Sequence, residues 1–245
     1  MEDSIITNDQ LVDWVIDARQ RTIDLVMDIP DDELLSRKLE IINPWLWEIG
    51  HVAWFQEKWA LRFALKRKPI LVNADSLYDS MAIAHDLRWD LPLPSREETI
   101  EYLMRVRDSV VESLVRSSEE TSRSPDKDLV YYNLLALYHE DMHTEAFTYT
   151  RQTLEYPPPK FKSTANEAAV AEGGKRSVDD DIQYAGGEFM LGALEERGFV
   201  FDNEKWAHQV HVKPFSLARS AVTQREFAGF VDDRGYQRKE LWSAG

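Results

Sequence analysis

The chain has 245 residues, longer than one average domain and short for two large ones, and its 43 % hydrophobic and 11 % aromatic content is core material that disordered chains lack. A formal charge of −15 excludes nucleic acid and anionic membrane as partners. The absence of cysteine excludes disulfides, thiol nucleophiles and Cys-ligated zinc or iron–sulfur sites, so a metal must be held by His, Asp or Glu.

Residues 1–28 open without a basic segment followed by an apolar one, and no apolar run in the chain approaches about 18 residues, so a cytoplasmic location is expected. Thr7 or Asn8 caps a first helix through about Met27, with Leu11, Trp14, Val15, Ala18, Ile23, Leu25 and Val26 on its apolar stripe. Pro44 suits the first turn of a second helix running to about Lys66. In it Trp47, His51, Trp54, Phe55, Trp59 and Phe63 recur at three- and four-residue steps, which predicts a largely buried aromatic helix. Residues 67–94 hold Pro69, Pro92 and Pro94 without sustained period and read as a long crossover containing short pieces of structure.

Ser95-Arg-Glu-Glu caps a third helix that gives way to a polar turn over 117–125. Pro125 or Asp126 starts a fourth, ending near Glu155 before Pro157-Pro-Pro. Four such helices with one long crossover describe a four-helix bundle over 1–156, a scaffold that builds metal sites from facing helices. Residues 157–181 read as a linker. Alternation and Gly-marked turns over 182–192 and 209–218 then indicate strands, followed by a short helix capped by Thr223. The fold class is therefore α+β. About sixty residues of the second kind are too few to bury an ordinary core, so 182–245 is expected to be an incomplete domain.

His139 and His143 are four residues apart, a rotation of about 400°, and so share one helix face. One further imidazole, His51 from the second helix, would complete a three-nitrogen site, whereas a single His among aromatics is more often a hydrogen-bonded core residue. His139-Glu140-Asp-Met-His143 also matches the HExxH pattern of zinc peptidases, with Glu140 as general base. Ala146 and Tyr149 stand where the extended form of that pattern needs Gly and His. Glu145 and Glu155 are possible carboxylate ligands, without the usual placing on a second helix. A third reading is a non-catalytic bundle whose metal is structural. His85, His208 and His211 read as structural or surface residues, and Trp45, Trp47, Trp54 and Trp59 mainly as core. Arg88, in the crossover, could clamp a carboxylate, although a solvated charge is the commoner role.

Pro44-Trp-Leu-Trp-Glu-Ile-Gly-His51-Val-Ala-Trp-Phe and His139-x-x-x-His143 resemble the two ligand segments of the DinB-like domain of ergothioneine-biosynthesis sulfoxide synthases. Gly186-Gly-Glu-Phe-Met-Leu-Gly192, Phe201-Asp-Asn-Glu204, Val222-Thr and Gly235-Tyr with Trp242 are similar to the start of the formylglycine-generating-enzyme-like domain that follows in those enzymes. The resemblance implies a non-haem iron(II) held by His51, His139 and His143, with O2, a sulfur or selenium donor and hercynine as small-molecule substrates. Iron(II) with three neutral imidazoles keeps open positions for a chalcogen donor and O2, which suits carbon–chalcogen bond formation on an imidazole ring. The chain departs from that family at Met142, where Gln is usual, and over Leu87–Ser95, where an Arg-rich segment is usual. These departures resemble the selenoneine synthase branch, with a selenosugar as donor, and they single out Met142 and Arg88 as substrate-binding residues. The resemblance also implies C-terminal truncation, with later substrate-binding residues missing.

Overall fold

A computed structural model describes residues 6–120, 126–161, 181–194 and 198–243. The chain divides into two compact units, Met1–Ala165 and Asn166–Gly245.

In the first unit the chain runs through α1 (Asn8–Val26), α2 (Trp45–Gln56), α3 (Ala74–Tyr78), α4 (Arg96–Glu120) and α5 (Lys127–Thr153). Thr7 caps α1 by accepting from the Gln10 backbone while the Gln10 side chain accepts from the Thr7 backbone. Ser95 and Glu98 form the same reciprocal pair at the start of α4, and Asp126 caps α5. α1 packs against α4 and α5, and α2 packs against the same two. Leu11, Val15, Trp45, Trp47, Leu103, Val106, Leu134 and Phe147 are buried between them. Burying each such side chain contributes on the order of 1.5–3 kcal/mol.

The expected second helix changes character at Glu57. Residues Glu57–Ala64 continue α2 as a π-helix, which ends where Lys66 takes a left-handed backbone. With the facing ring on α5 in view, the ring spacing accounts for the change: Phe55, Trp59 and Phe63 recur every four residues, and in an α-helix each such step drifts by about 40°. Wider π turns offset that drift and keep the rings toward α5, where Trp59 stacks on Tyr132 with centroids 5.8 Å apart. Three aromatic expectations are corrected: Trp59 is half-buried, while Phe63 and Trp14 are exposed, because the stripe reaches past the core onto the surface. α4 also runs beyond the turn expected from Ser117, to Glu120. Within the crossover, α3 and a short 3₁₀ turn at His85–Leu87 are the only helical pieces among the described residues.

A buried polar cluster ties the helices together. Arg19 of α1, 0 % exposed, donates from Nε and Nη2 to the two oxygens of Glu140 on α5 at 2.9 and 3.0 Å. It also donates to Gln56 of α2 at 2.7 Å and to the Leu103 carbonyl of α4 at 2.6 Å. Thr22 adds a bond to Glu140 at 2.8 Å. One guanidinium thus contacts all four long helices and fixes their rotational setting.

In the second unit, β1 (Asp181–Tyr184) pairs antiparallel with β4 (Phe215–Ala218), and β2 (Gly187–Leu191) with β3 (His208–Val212). α6 (Gln224–Asp232) is capped by Thr223 and Glu226 in a reciprocal pair. Phe230, Tyr236 and Trp242 form a ring cluster beside it, and Trp242 donates to the Gly235 carbonyl at 3.0 Å. Among the described residues of this unit, Val200 is the one buried large apolar side chain. The expected linker, 157–181, falls mainly on residues outside those described. No helix of the described residues is long and apolar enough to cross a membrane.

Candidate metal centre

The first unit brings His51, His139 and His143 together. Their ligand atoms all lie within 4.8 Å of one another, and Nε2 of His139 is 3.3 Å from Nε2 of both His51 and His143. Each imidazole is set by different means. His51 is 3 % exposed, and its Nδ1 donates to the Tyr78 carbonyl at 2.8 Å. That contact depends on Gly50: a Cβ there would stand 2.2 Å from the Tyr78 ring, so only glycine lets the end of α3 settle against α2. The ring of His51 lies between Trp47, stacked at 4.7 Å, and Trp54 at 5.4 Å. His143 Nδ1 is 2.7 Å from Oε1 of Glu48, itself 1 % exposed. His139 stacks on Phe55 with centroids 3.6 Å apart, and its buried Nδ1 has no hydrogen-bond partner among the described residues.

Protonation favours the same end. Burial pushes the His51 imidazolium pKa down to about 3, helped by the neighbouring His143 and opposed by the bond to Tyr78. Burial likewise holds His139 well below the usual histidine range, with His143 and His51 adding to it. Both rings are neutral lone-pair donors at pH 7. Because Nδ1 of His51 is spent on a carbonyl, its lone pair is on Nε2, directed at the common point. Three nitrogens about 2.1 Å from one ion lie about 3.0–3.4 Å apart in octahedral or tetrahedral arrangements. Both 3.3 Å separations fall in that span. The three residues fit a single metal ion of the kind that imidazole suits.

Glu140 does not face this point. Its carboxylate is 1 % exposed and committed to Arg19 and Thr22, about 100° round the helix from His139. The peptidase reading needs that carboxylate free to take a proton from a water on the metal, so the HExxH match is coincidental. Met142, next to His143 in the chain, is 51 % exposed. Arg88 is half-buried, with its guanidinium 4.0 Å over the Trp47 ring whose other stacking partner is His51, and it donates to Asn43 Oδ1 at 2.6 Å. Its Nε is buried without a partner among the described residues. His85 bonds the Ile42 carbonyl, and His208 and His211 are exposed strand residues in the second unit. Glu48, Tyr78, Phe55 and Arg19 were not legible as parts of this arrangement. Glu48 did leave a signal, being a lone carboxylate on a helix whose other side chains are mostly apolar.

The fold and site define a helical domain carrying a candidate three-histidine metal site. The DinB superfamily model matches residues 15–147, and the chain belongs to that superfamily. Residues 166–244 match the sulfatase-modifying factor enzyme 1-like domain. The chain is 30 % identical over 237 residues to the hercynine oxygenase of Mycolicibacterium thermoresistibile, covering 96 % of this chain and 50 % of that protein. It is 30 % identical over 238 residues to the Mycobacterium tuberculosis hercynine oxygenase, covering 96 % and 53 %. The formylglycine-generating enzyme of Streptomyces coelicolor is 37 % identical over 73 residues, 28 % of this chain and 23 % of that one. The chain spans about half the length of the hercynine oxygenases it matches.

Proposed function

We propose that this chain serves oxidative C–S or C–Se bond formation on the imidazole ring of hercynine, at a non-haem iron(II) held by His51, His139 and His143 within a four-helix bundle spanning 1–156. Convergence of the three Nε2 atoms carries the reading. Two matches to hercynine oxygenases that run over nearly the whole of this chain, and the tandem of family models, support it. Iron(II), when bound, supplies redox chemistry with O2 beside a thiolate or selenolate. The chain's own part is to keep His51 and His139 neutral and buried and to hold His143 by its Nδ1. Trp47, Trp54 and Phe55 cover the rings of His51 and His139 and exclude water from them. Arg88 keeps guanidinium donors for a substrate carboxylate, and the Trp47 face beneath it fixes the plane of that fork. Met142 stands beside His143 in the chain where the resembled family usually has Gln, and this departure is what favours a selenosugar as donor. The reading places the chain in the cytoplasm, with a linker over 157–181 and the second domain beginning at 182. Anaerobic iron(II) titration of the purified chain tests it: one ion per chain is expected, abolished in His51→Ala, and unchanged binding in that variant overturns it.

A further inference from the structure

Glu48 lies on α2 three residues before His51, nearly one turn, on a helix whose other described side chains are mostly apolar. Taking a carboxylate out of water costs several kcal/mol unless it is paired and hydrogen-bonded. The structure gives this one an unusual partner. Among the described residues its hydrogen-bond partner is His143, at 2.7 Å from Oε1 to Nδ1. Arg88 is close enough to feel its charge but makes no ion pair with it. A carboxylate accepts and does not donate, so Nδ1 carries the proton and Nε2 of His143 keeps the lone pair. The same bond sets the plane of the ring, because a planar imidazole held at Nδ1 can turn Nε2 only along one line.

The other two histidines show what this adds. His51 has a neutral carbonyl behind its Nδ1, and the His139 Nδ1 has no partner among the described residues, its ring lying flat on Phe55. His143 is only partly buried, with 17 % of its side chain accessible. It is the one of the three tied at Nδ1 by a carboxylate, and the tie comes from the helix that supplies His51. α2 thus contributes one ligand directly and orients a second on α5.

We propose that Glu48 is the positioning residue of the metal centre, holding His143 in the tautomer and ring orientation that turn its Nε2 toward His51 and His139. The inference rests on the three histidines being metal ligands. Removing an outer hydrogen-bond partner of a metal-bound histidine typically weakens metal binding about 10- to 100-fold.

The test uses the full chain in two variants of similar side-chain size. Glu48→Met removes the acceptor and leaves an apolar group that fits a buried position, whereas Glu48→Gln keeps an acceptor oxygen without the charge. Two quantities are read: the cobalt(II) dissociation constant, and the nitrogen-15 shifts of His143 in the metal-free chain, which report the tautomer. In the wild type the Nδ1–H form is expected. Glu48→Met is expected to mix the tautomers and weaken cobalt(II) binding about 10- to 100-fold, and Glu48→Gln to restore the tautomer and recover most of the affinity. A Glu48→Met chain that keeps wild-type affinity and the Nδ1–H form overturns the proposal. Equal losses in both variants with the tautomer unchanged also overturn it, since they would mean a structural tie between helices. Wild-type chain that binds no metal overturns the ligand reading itself, which separates the two failures.

Discussion

The two units handle charge and apolar surface in opposite ways. In Met1–Ala165, two arginines, three glutamates and a histidine are almost fully buried, and all have partners. In Asn166–Gly245 the ladders and the cap of α6 are well formed, yet Phe189, Met190, Leu191, Phe215 and Leu217 on the strands remain about half exposed. Hydrogen-bonded local structure therefore does not require a core, whereas a set of buried imidazoles does. Among the described residues, the buried titratable groups all lie in the first unit, where the surrounding helices hold them out of water in one arrangement.

That contrast can be broken at its strongest point. Arg19→Ala leaves the Glu140 carboxylate buried and unpaired, and a loss of about 3–5 kcal/mol is expected in denaturant unfolding followed by tryptophan fluorescence. Replacing Arg19 and Glu140 together by Met should recover most of it; a double variant as unstable as Arg19→Ala would contradict the ion-pair account. Gly50→Ala comes next. The new methyl must push the Tyr78 ring away, at a cost of about 1–3 kcal/mol, and weaker cobalt(II) binding should accompany it because the Tyr78 carbonyl moves with the ring. Undisturbed binding in that variant would mean that His51 does not depend on the carbonyl. The smallest effect belongs to the second unit: Phe189→Ser on β2 removes a half-exposed ring opposite Val210 and should change stability by less than about 1 kcal/mol, read by amide exchange of β2 and β3. A larger loss would reveal packing on that face.

The helices could be read from residues because their causes are local. Thr7, Ser95 and Asp126 announce helix starts, and the spacing of Leu11, Val15 and Ala18 marks a buried face. The His139/His143 pair was legible for the same reason, being a relation within one turn. What could not be read are relations between helices. A glutamate at 48 on an aromatic helix is visible in the sequence, but its partner lies 95 positions away, and nothing local points from one to the other. Arg19 is similar, with its carboxylate 121 residues on. The π-helix escaped because four-residue ring spacing fits an ordinary helix about as well until the facing ring, Tyr132, is known. In the second unit the strands were visible from alternation, while the depth of their burial depends on what lies across them.

The bond from His51 to the Tyr78 carbonyl bears on how the molecule assembles in time. The three imidazoles and their anchors are joined across 27, 88 and 95 residues of chain, so none of these links can form inside a single helix or hairpin. Each requires a long loop to close first, and contacts of that range form after the local ones. Helical signal should thus precede metal uptake when the denatured chain is diluted into buffer, and the ion will register a finished tertiary structure and pass over partly formed ones.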